Sequence, residues 1–185
     1  SVGVETVAYL REVQTEGVNR YVNLSTRGRS ESGEGVLIGG FVVTGTSQRT
    51  VLLRGLGPAL TGRDVSNIME DPVITLNQGA DVLAHNEHWE AASNVSDIVA
   101  FTEKVGAAAL EAGSLDAAML VSLDPGLYTV LVGSDVGDGE ALFEIFDDGS
   151  NSERALVNVS SRGMVRGEGQ ALIGGLVVAG PDPQL

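Results

Sequence analysis

The chain contains one stretch twice. Residues 21–45 read YVNLSTRGRSESGEGVLIGGFVVTG, and residues 156–180 read LVNVSSRGMVRGEGQALIGGLVVAG. The two align without a gap, each residue of the second lying 135 positions after its counterpart in the first. About half of the positions are identical, including the asparagine and arginine of VN-x-S-x-RG and all of LIGG. Because a self-match at fixed spacing is the mark of repeated architecture, this stretch decides which fold to expect.

Composition favours a single domain with an aliphatic core. A chain of 185 residues normally forms one domain, and 43% of its residues are hydrophobic while only 4% are aromatic. The interior must therefore be built from Val, Leu, Ile and Ala. The 25 glycines indicate many tight turns rather than long helices.

Charge and cysteine content exclude several classes of function. The formal net charge of −14 repels nucleic-acid backbones and anionic lipid, so neither is an expected partner. The absence of cysteine excludes disulfides and thiolate metal sites. No apolar run is long enough to insert into a membrane. The start at Ser1, without Met, leads us to expect a mature exported protein or a piece of a longer one, located outside the cell or on its surface.

Apolar runs and alternating patterns predict an all-β fold. Short β-branched segments separated by Gly, Asp and Pro are typical of an antiparallel β-sandwich or jelly roll. The predicted strands cover residues 21–25, 36–44, 49–55, 73–76, 82–85, 117–123, 127–132 and 141–146. Residues 27–35, which are polar and rich in Gly and Ser, are predicted to form a turn or wide loop. Residues 91–113 are predicted to hold one short helical connection, with Ser96 and Asp97 as the capping residues.

Three segments follow from the repeat: an N-terminal strand or tail (1–20), a β-sandwich module (21–154), and a partial second copy of the module's first strands (155–185). Within residues 1–20 a helix over 5–14 is the alternative to a strand. We favour the strand because residues 141–146 precede the second copy at nearly the same distance as residues 6–11 precede the first. The paired Gly39 and Gly40 predict a bulge or a close backbone approach.

Several motifs together resemble a known module. The set VNLSTRG, LIGGFVVTG, VLLRGLGPAL, DPVITL, NEHW and LDPGLYTVLV is similar to a repeat module of large secreted bacterial proteins whose function is uncharacterised. Its second half also resembles the bacterial pre-peptidase C-terminal β-sandwich domains, through the turn and strand of residues 123–128. The resemblance implies accessory, adhesive or structural parts of exported proteins and no catalytic residue.

The residues that could carry chemistry favour no enzyme. His85 and His88 flank a strand end and have no further histidine to complete a zinc site. No Gly-x-Ser-x-Gly elbow and no phosphate-binding loop occurs. We therefore predict no catalytic residue, no metal ligand and no cofactor. Calcium stays open as an alternative, because five carboxylates lie close together along the chain. They are Asp135, Asp138, Glu140, Asp147 and Asp148.

The incomplete second copy gives the functional prediction. Its strands cannot form a sandwich alone, so we expect them to be shared with a neighbour through main-chain pairing, which makes homopolymers and filaments. The residues predicted to make subunit contacts are Val4, Val7, Tyr9, Val157, Val159, Leu172, Ile173, Leu176 and Val178. Arg27, Arg162, Gly39 and Gly40 are predicted to be structural. The alternative is an adhesive module, cut from a longer tandem repeat, whose loops 86–89 and 135–139 bind surface glycans or calcium.

Overall fold

A computed structural model describes residues 4–11, 20–149, 156–167 and 170–179, with residues 4–11, Arg20 and Val159 described by their backbone alone. These residues form eleven strands in two antiparallel sheets and one α-helix. The all-β fold class predicted from the sequence is thus confirmed. No helix among the described residues is long and apolar enough to cross a membrane.

The strands are numbered in chain order. The first sheet is ordered β1 (Val4–Arg11), β10 (Leu156–Val165), β3 (Leu37–Val43), β8 (Gly126–Gly133), β5 (Val73–Gln78) and β6 (Asp81–Asn86). The second is ordered β11 (Ile173–Ala179), β2 (Arg20–Ser30), β9 (Gly139–Asp147), β4 (Arg49–Leu56) and β7 (Ala117–Leu123). The helix α1 (Val95–Lys104) lies in the connection between β6 and β7.

The main core lies between the sheets and is aliphatic with few aromatic side chains. In β3 the residues alternate between buried and half-buried, as expected of a strand with one face inward. Leu37, Phe41 and Val43 are its buried hydrophobic residues and pack in one cluster with residues from the other strands. Burial of aliphatic side chains of this size stabilises the fold by about 1.5–3 kcal/mol each.

A smaller core lies under α1. Ile98 and Phe101 are buried on one face of the helix and pack against Trp89 and Leu52. The helical prediction is correct in place, but the predicted cap is wrong. The N-cap is Asn94, whose side chain makes no capping hydrogen bond and instead donates from Nδ2 to the carbonyl of Leu120 at 3.1 Å.

Strand β2 is longer than predicted. Residues 27–30 continue the strand where a loop was expected, and the loop begins only at residue 31. The inward residues of this part are Gly28 and Ser30, a composition that is typical of a loop. The hydroxyl group of Ser30 is satisfied internally: its Oγ donates to the carbonyl of Val132 at 2.6 Å and accepts from the amide of Leu37 at 3.0 Å. A buried strand therefore tolerates these residues.

The segment before the first copy contains the strand that we favoured there. Residues 4–11 form β1, while residues 1–3 and 12–19 lie outside the described part of the chain. In the C-terminal segment, residues 150–155, 168–169 and 180–185 are likewise outside it.

Candidate assembly interface

The two copies of the repeated stretch pair with each other in a reciprocal arrangement. Strand β10 lies between β1 and β3, and β11 pairs with β2. Ser160 is opposite Gly40, and its counterpart Ser25 is opposite Gly175. The register of both pairs also shifts at matching places, near residue 157 in one pair and near residue 22 in the other. Exchanging the two copies therefore leaves this pairing scheme unchanged.

Strand β1 extends the same relation. Tyr9 is opposite Ser160 in β10, and Glu144 of β9 is opposite Ser25 in β2. Tyr9 and Glu144 are separated by the repeat spacing, so β1 occupies the place beside β10 that β9 occupies beside β2. Six strands thus form a reciprocal centre, hereafter the interlocked centre: β1, β10 and β3 in one sheet, β9, β2 and β11 in the other.

Side chains at equivalent positions meet inside the interlocked centre. The hydroxyl groups of Thr26 and Ser161, which are counterparts in the repeat, form a buried hydrogen bond between the two sheets. The Leu172 side chain fits against two glycines, Gly28 and Gly163, because a Cβ at either would lie 2.9 Å from Leu172 Cδ1. Because these small residues recur at the repeat spacing, β2 and β10 can approach each other across the interior.

An ion pair ties the copies together at the surface. Arg166 directly follows β10, and its Nη2 lies 2.7 Å from Oε2 of Glu31. Glu31 occupies the position in the first copy that corresponds to Arg166 in the second. Arg29 Nε donates to Glu31 Oε1 at 2.9 Å. The hydrogen bond from Arg166, followed by that from Arg29, lowers the pKa of the Glu31 carboxyl below its ordinary value.

One flank of the sandwich ends in two edge strands. Because β10 faces β2 across the interior, the outermost strands β1 and β11 lie on the same flank. Within the described residues neither has a second strand beside it. We call this side, formed by the outer edges of β1 and β11, the open flank.

The open flank exposes one apolar side chain whose counterpart is buried. Leu176 is opposite the buried Leu24, so its side chain points toward the interior, yet it is 42% exposed. Its counterpart Phe41 is 2% exposed. Phe41 is covered by Tyr128 of the adjacent β8, with ring centroids 5.4 Å apart and planes 23° apart. Within the described part of the chain, the core thus continues to the edge of β11, and no strand covers it there as β8 covers it beside β3.

The predicted contact residues are divided between the interior and this flank. Val4, Val7 and Tyr9 lie in β1, and Val159 lies in β10; their side chains are outside the described set. Val157 is half-buried in β10, and Leu172 is half-buried against the main core. Ile173 and Leu176 are exposed on β11, and Val178 is half-buried there. Sequence reasoning missed Val177, which is 51% exposed on the same strand.

The four residues predicted to be structural lie within the interlocked centre. A Cβ on Gly39 would overlap the ring of Phe143, and one on Gly40 would overlap Ser160 Oγ. The register of β3 with β8 is continuous here, so the glycine pair marks a close approach and not a bulge in that pairing. Arg162 donates from Nη2 to the carbonyl of Glu34 at 3.3 Å. Burial raises the pKa of Glu140, and the charges of Arg27 and then Arg29 oppose that rise.

The acidic residues considered for calcium lie in separate contacts. Asp147 Oδ2 accepts from Arg49 Nε at 3.1 Å, Asp148 pairs with Lys104, and Asp138 lies 3.7 Å from Arg29. Among the residues that the structure describes, no group of three or more His, Asp or Glu is arranged to hold a metal ion. Each of the three aspartates is placed to neutralise a neighbouring cation.

The histidine-containing stretch 85–89 serves the packing of the loop ends. His85 contacts Thr75 and Glu87, and His88 Nε2 lies 3.3 Å from Asp71 Oδ1. Asn86 accepts at Oδ1 from the amide of Ala118 at 3.0 Å, which joins the end of β6 to β7.

Two buried charged groups were not found from the sequence. Arg54 donates to Glu144 Oε2 from Nε at 3.0 Å and from Nη2 at 2.6 Å, and Nη1 donates to the carbonyl of Ala108 at 2.6 Å. Asp116 accepts from the amides of Gly57 and Ala59. They border a cleft of about 470 Å³ between the turn at 58–60 and the loop at 108–114. Because Arg54 bonds to Glu144 and to the main chain of the loop, and Asp116 bonds to the main chain of the turn, these two groups hold the loop and the turn in place beside β4.

The fold and the interface together define an antiparallel β-sandwich that holds two reciprocal copies of one strand pair and has an open edge. Comparison of the chain with family models, with curated proteins and with solved structures finds no match.

Proposed function

We propose that this chain is a non-enzymatic structural protein of the cell exterior, a subunit of a filament or surface assembly in which neighbouring β-sandwich modules share strands. The observation that carries this proposal is the open flank, where β11 exposes Leu176 and Val177 and has no further strand beside it among the described residues. Edge strands with exposed apolar residues pair readily with further strands, and natural monomers usually protect them.

The reciprocal pairing of the two copies supports the same conclusion. The chain already joins strands of one module copy to strands of another, through β10 beside β3 and β11 beside β2. Contacts of this kind use main-chain hydrogen bonds for affinity and alternate side chains for specificity. The resemblance to repeat modules of large secreted bacterial proteins agrees with an assembly role and with a location outside the cell.

The test is the size of the particles that the protein forms. Sedimentation velocity over a range of concentrations, followed by electron microscopy, should show association of the wild-type chain into regular assemblies. The double variant Leu176→Lys and Val177→Lys should stay monomeric, because two lysines on an edge strand oppose further pairing.

A matched control is Val82→Lys. Val82 is 63% exposed on β6, the edge strand at the opposite end of the first sheet. This variant should associate like the wild-type protein. A wild-type chain that stays monomeric at every concentration, or equal association of the β11 variant, would overturn the proposed function.

A further inference from the structure

We propose that the open flank takes a strand of the β8 type from a neighbouring module of the same kind, one whose 49–133 unit pairs with β11 in place of its own β3. The strand is added antiparallel along β11 in one defined register. This inference rests on the proposed assembly function and names the partner at the same surface. It follows from comparing what lies beside β3 with what lies beside β11.

The interlocked centre has a covered side and an open side. On the covered side β3 pairs with β8, and β9 pairs with β4; both partners belong to one continuous unit, residues 49–133. On the open side, β11 is the counterpart of β3, and β1 is the counterpart of β9. The repeat therefore presents a second time the two edges on which the 49–133 unit sits.

The side chains of β11 retain the pattern that β8 recognises on β3. The stretch LIGG precedes two valines in both copies, as Val42 and Val43 and as Val177 and Val178. Among the described residues, no atom lies where a Cβ of Gly174 would meet it, and Gly175 contacts only Ser25, whereas Gly39 and Gly40 have close neighbours. A β8-type strand thus finds on β11 an apolar, glycine-containing edge like the one that it already occupies.

The register of the added strand follows from the pairing of β3 with β8. Tyr128 is opposite Phe41, Leu127 is opposite Val42, and Val130 is opposite Gly39. Applying the repeat spacing places a tyrosine of this type opposite Leu176, a leucine opposite Val177 and a valine opposite Gly174. The tyrosine ring would cover Leu176 as Tyr128 covers Phe41, and the exposed inward face of β11 would become buried.

The probe for this site is a peptide of residues 124–135, DPGLYTVLVGSD, with blocked ends. Nuclear magnetic resonance titration of the full chain should show shifts of the β11 amides on peptide addition. A nitroxide at the peptide's tyrosine position should broaden the amide of Leu176 most strongly. Leu176→Lys should weaken binding by about tenfold, because burial of one leucine contributes on that order to affinity, whereas Val82→Lys should leave it unchanged.

Control peptides decide between occupants. Peptides of β1 and of β11 should bind more weakly than the β8 peptide, and a β8 peptide with lysine in place of tyrosine should lose affinity. Stronger binding of the β1 or β11 peptide would overturn the inference in favour of a symmetric contact between two chains. Binding that is equally strong to the Leu176→Lys variant, or no binding at all, would also overturn it.

The two proposals can fail separately. If the peptide binds but the chain never associates, the proposed function fails and this inference stands. If the chain associates and the peptide does not bind, this inference fails and the proposed function stands.

Discussion

At the scale of single residues, the repeat supplies its own control for the role of the glycine pair. Gly39 faces the ring of Phe143 so closely that a methyl group would overlap it, while a Cβ on its counterpart Gly174 would have no described atom within 4 Å. The same residue type in the same local sequence therefore meets a different environment in the two copies, because Phe143 of the facing strand β9 packs against the first glycine.

We expect Gly39→Ala to lower the free energy of unfolding by about 1–3 kcal/mol, since overpacking of a filled core displaces side chains or backbone. Gly174→Ala should change it by no more than about 0.5 kcal/mol, as exposed substitutions usually do. Chemical denaturation of both variants measures the difference. Equal effects at the two positions would contradict the packing described for Gly39.

At this scale the sequence predicted the glycines' importance but not the buried charges. LIGG repeats visibly, so its structural role could be inferred. Arg54, Glu144 and Asp116 come from distant parts of the chain and meet only once β4, β9 and the 108–116 region are assembled. No local pattern marks such partners, because the energy that keeps them buried comes from tertiary contacts.

At the scale of elements, the ion pair between Glu31, in the loop after β2, and Arg166, at the end of β10, depends on pH. The folded-state pKa of Glu31 is lowered from its ordinary 4.5 by Arg166 and then Arg29. A carboxyl group with a lowered pKa stabilises the fold above its unfolded-state pKa and loses that contribution as the pH falls through its folded-state pKa. The stabilising effect of this ion pair should therefore be complete at neutral pH and be lost progressively as the pH falls below 4.5 and through the lowered folded-state pKa.

We expect Glu31→Gln to be less stable than the wild-type protein at about pH 7, and we expect this difference to shrink as the pH falls below 4.5 and the carboxyl becomes protonated in the folded chain. Urea unfolding across this range measures the difference. Glu70→Gln, at an exposed site away from the ion pair, is the control and should show no such convergence. A stability difference for Glu31→Gln that persists unchanged at low pH would contradict the role given to the ion pair.

Most strands could be predicted from alternation and turn residues, and their limits could be found within a few residues. The exception is the end of β2, where Thr26, Gly28 and Ser30 point inward although none is apolar. Their burial depends on Ser161, Leu172 and Val132 from other strands. A rule based on local composition assigns such residues to a loop, because it cannot include partners from elsewhere in the chain.

At the scale of the whole molecule, the sequence showed that strands were duplicated but not how the copies would be arranged. The prediction assigned the second copy to a neighbouring subunit. In the structure β10 lies inside the sheet of its own chain and β11 lies at its edge. Long-range strand pairing decides between these two arrangements, and a repeat in the sequence is compatible with both. The assembly proposal therefore concerns the open flank and not the strands that are already paired.

The claim that the two copies interlock within one chain can be tested by a disulfide. The chain has no cysteine, and a Cβ on Gly40 would lie 3.8 Å from Ser160 Cβ, within the roughly 3.5–4.5 Å that disulfides span. Oxidised Gly40→Cys/Ser160→Cys protein should migrate on a non-reducing gel as a single cross-linked chain at every protein concentration, with Gly40→Cys alone as the control. Disulfide-linked dimers or ladders of the double variant, beyond those of the control, would contradict the account.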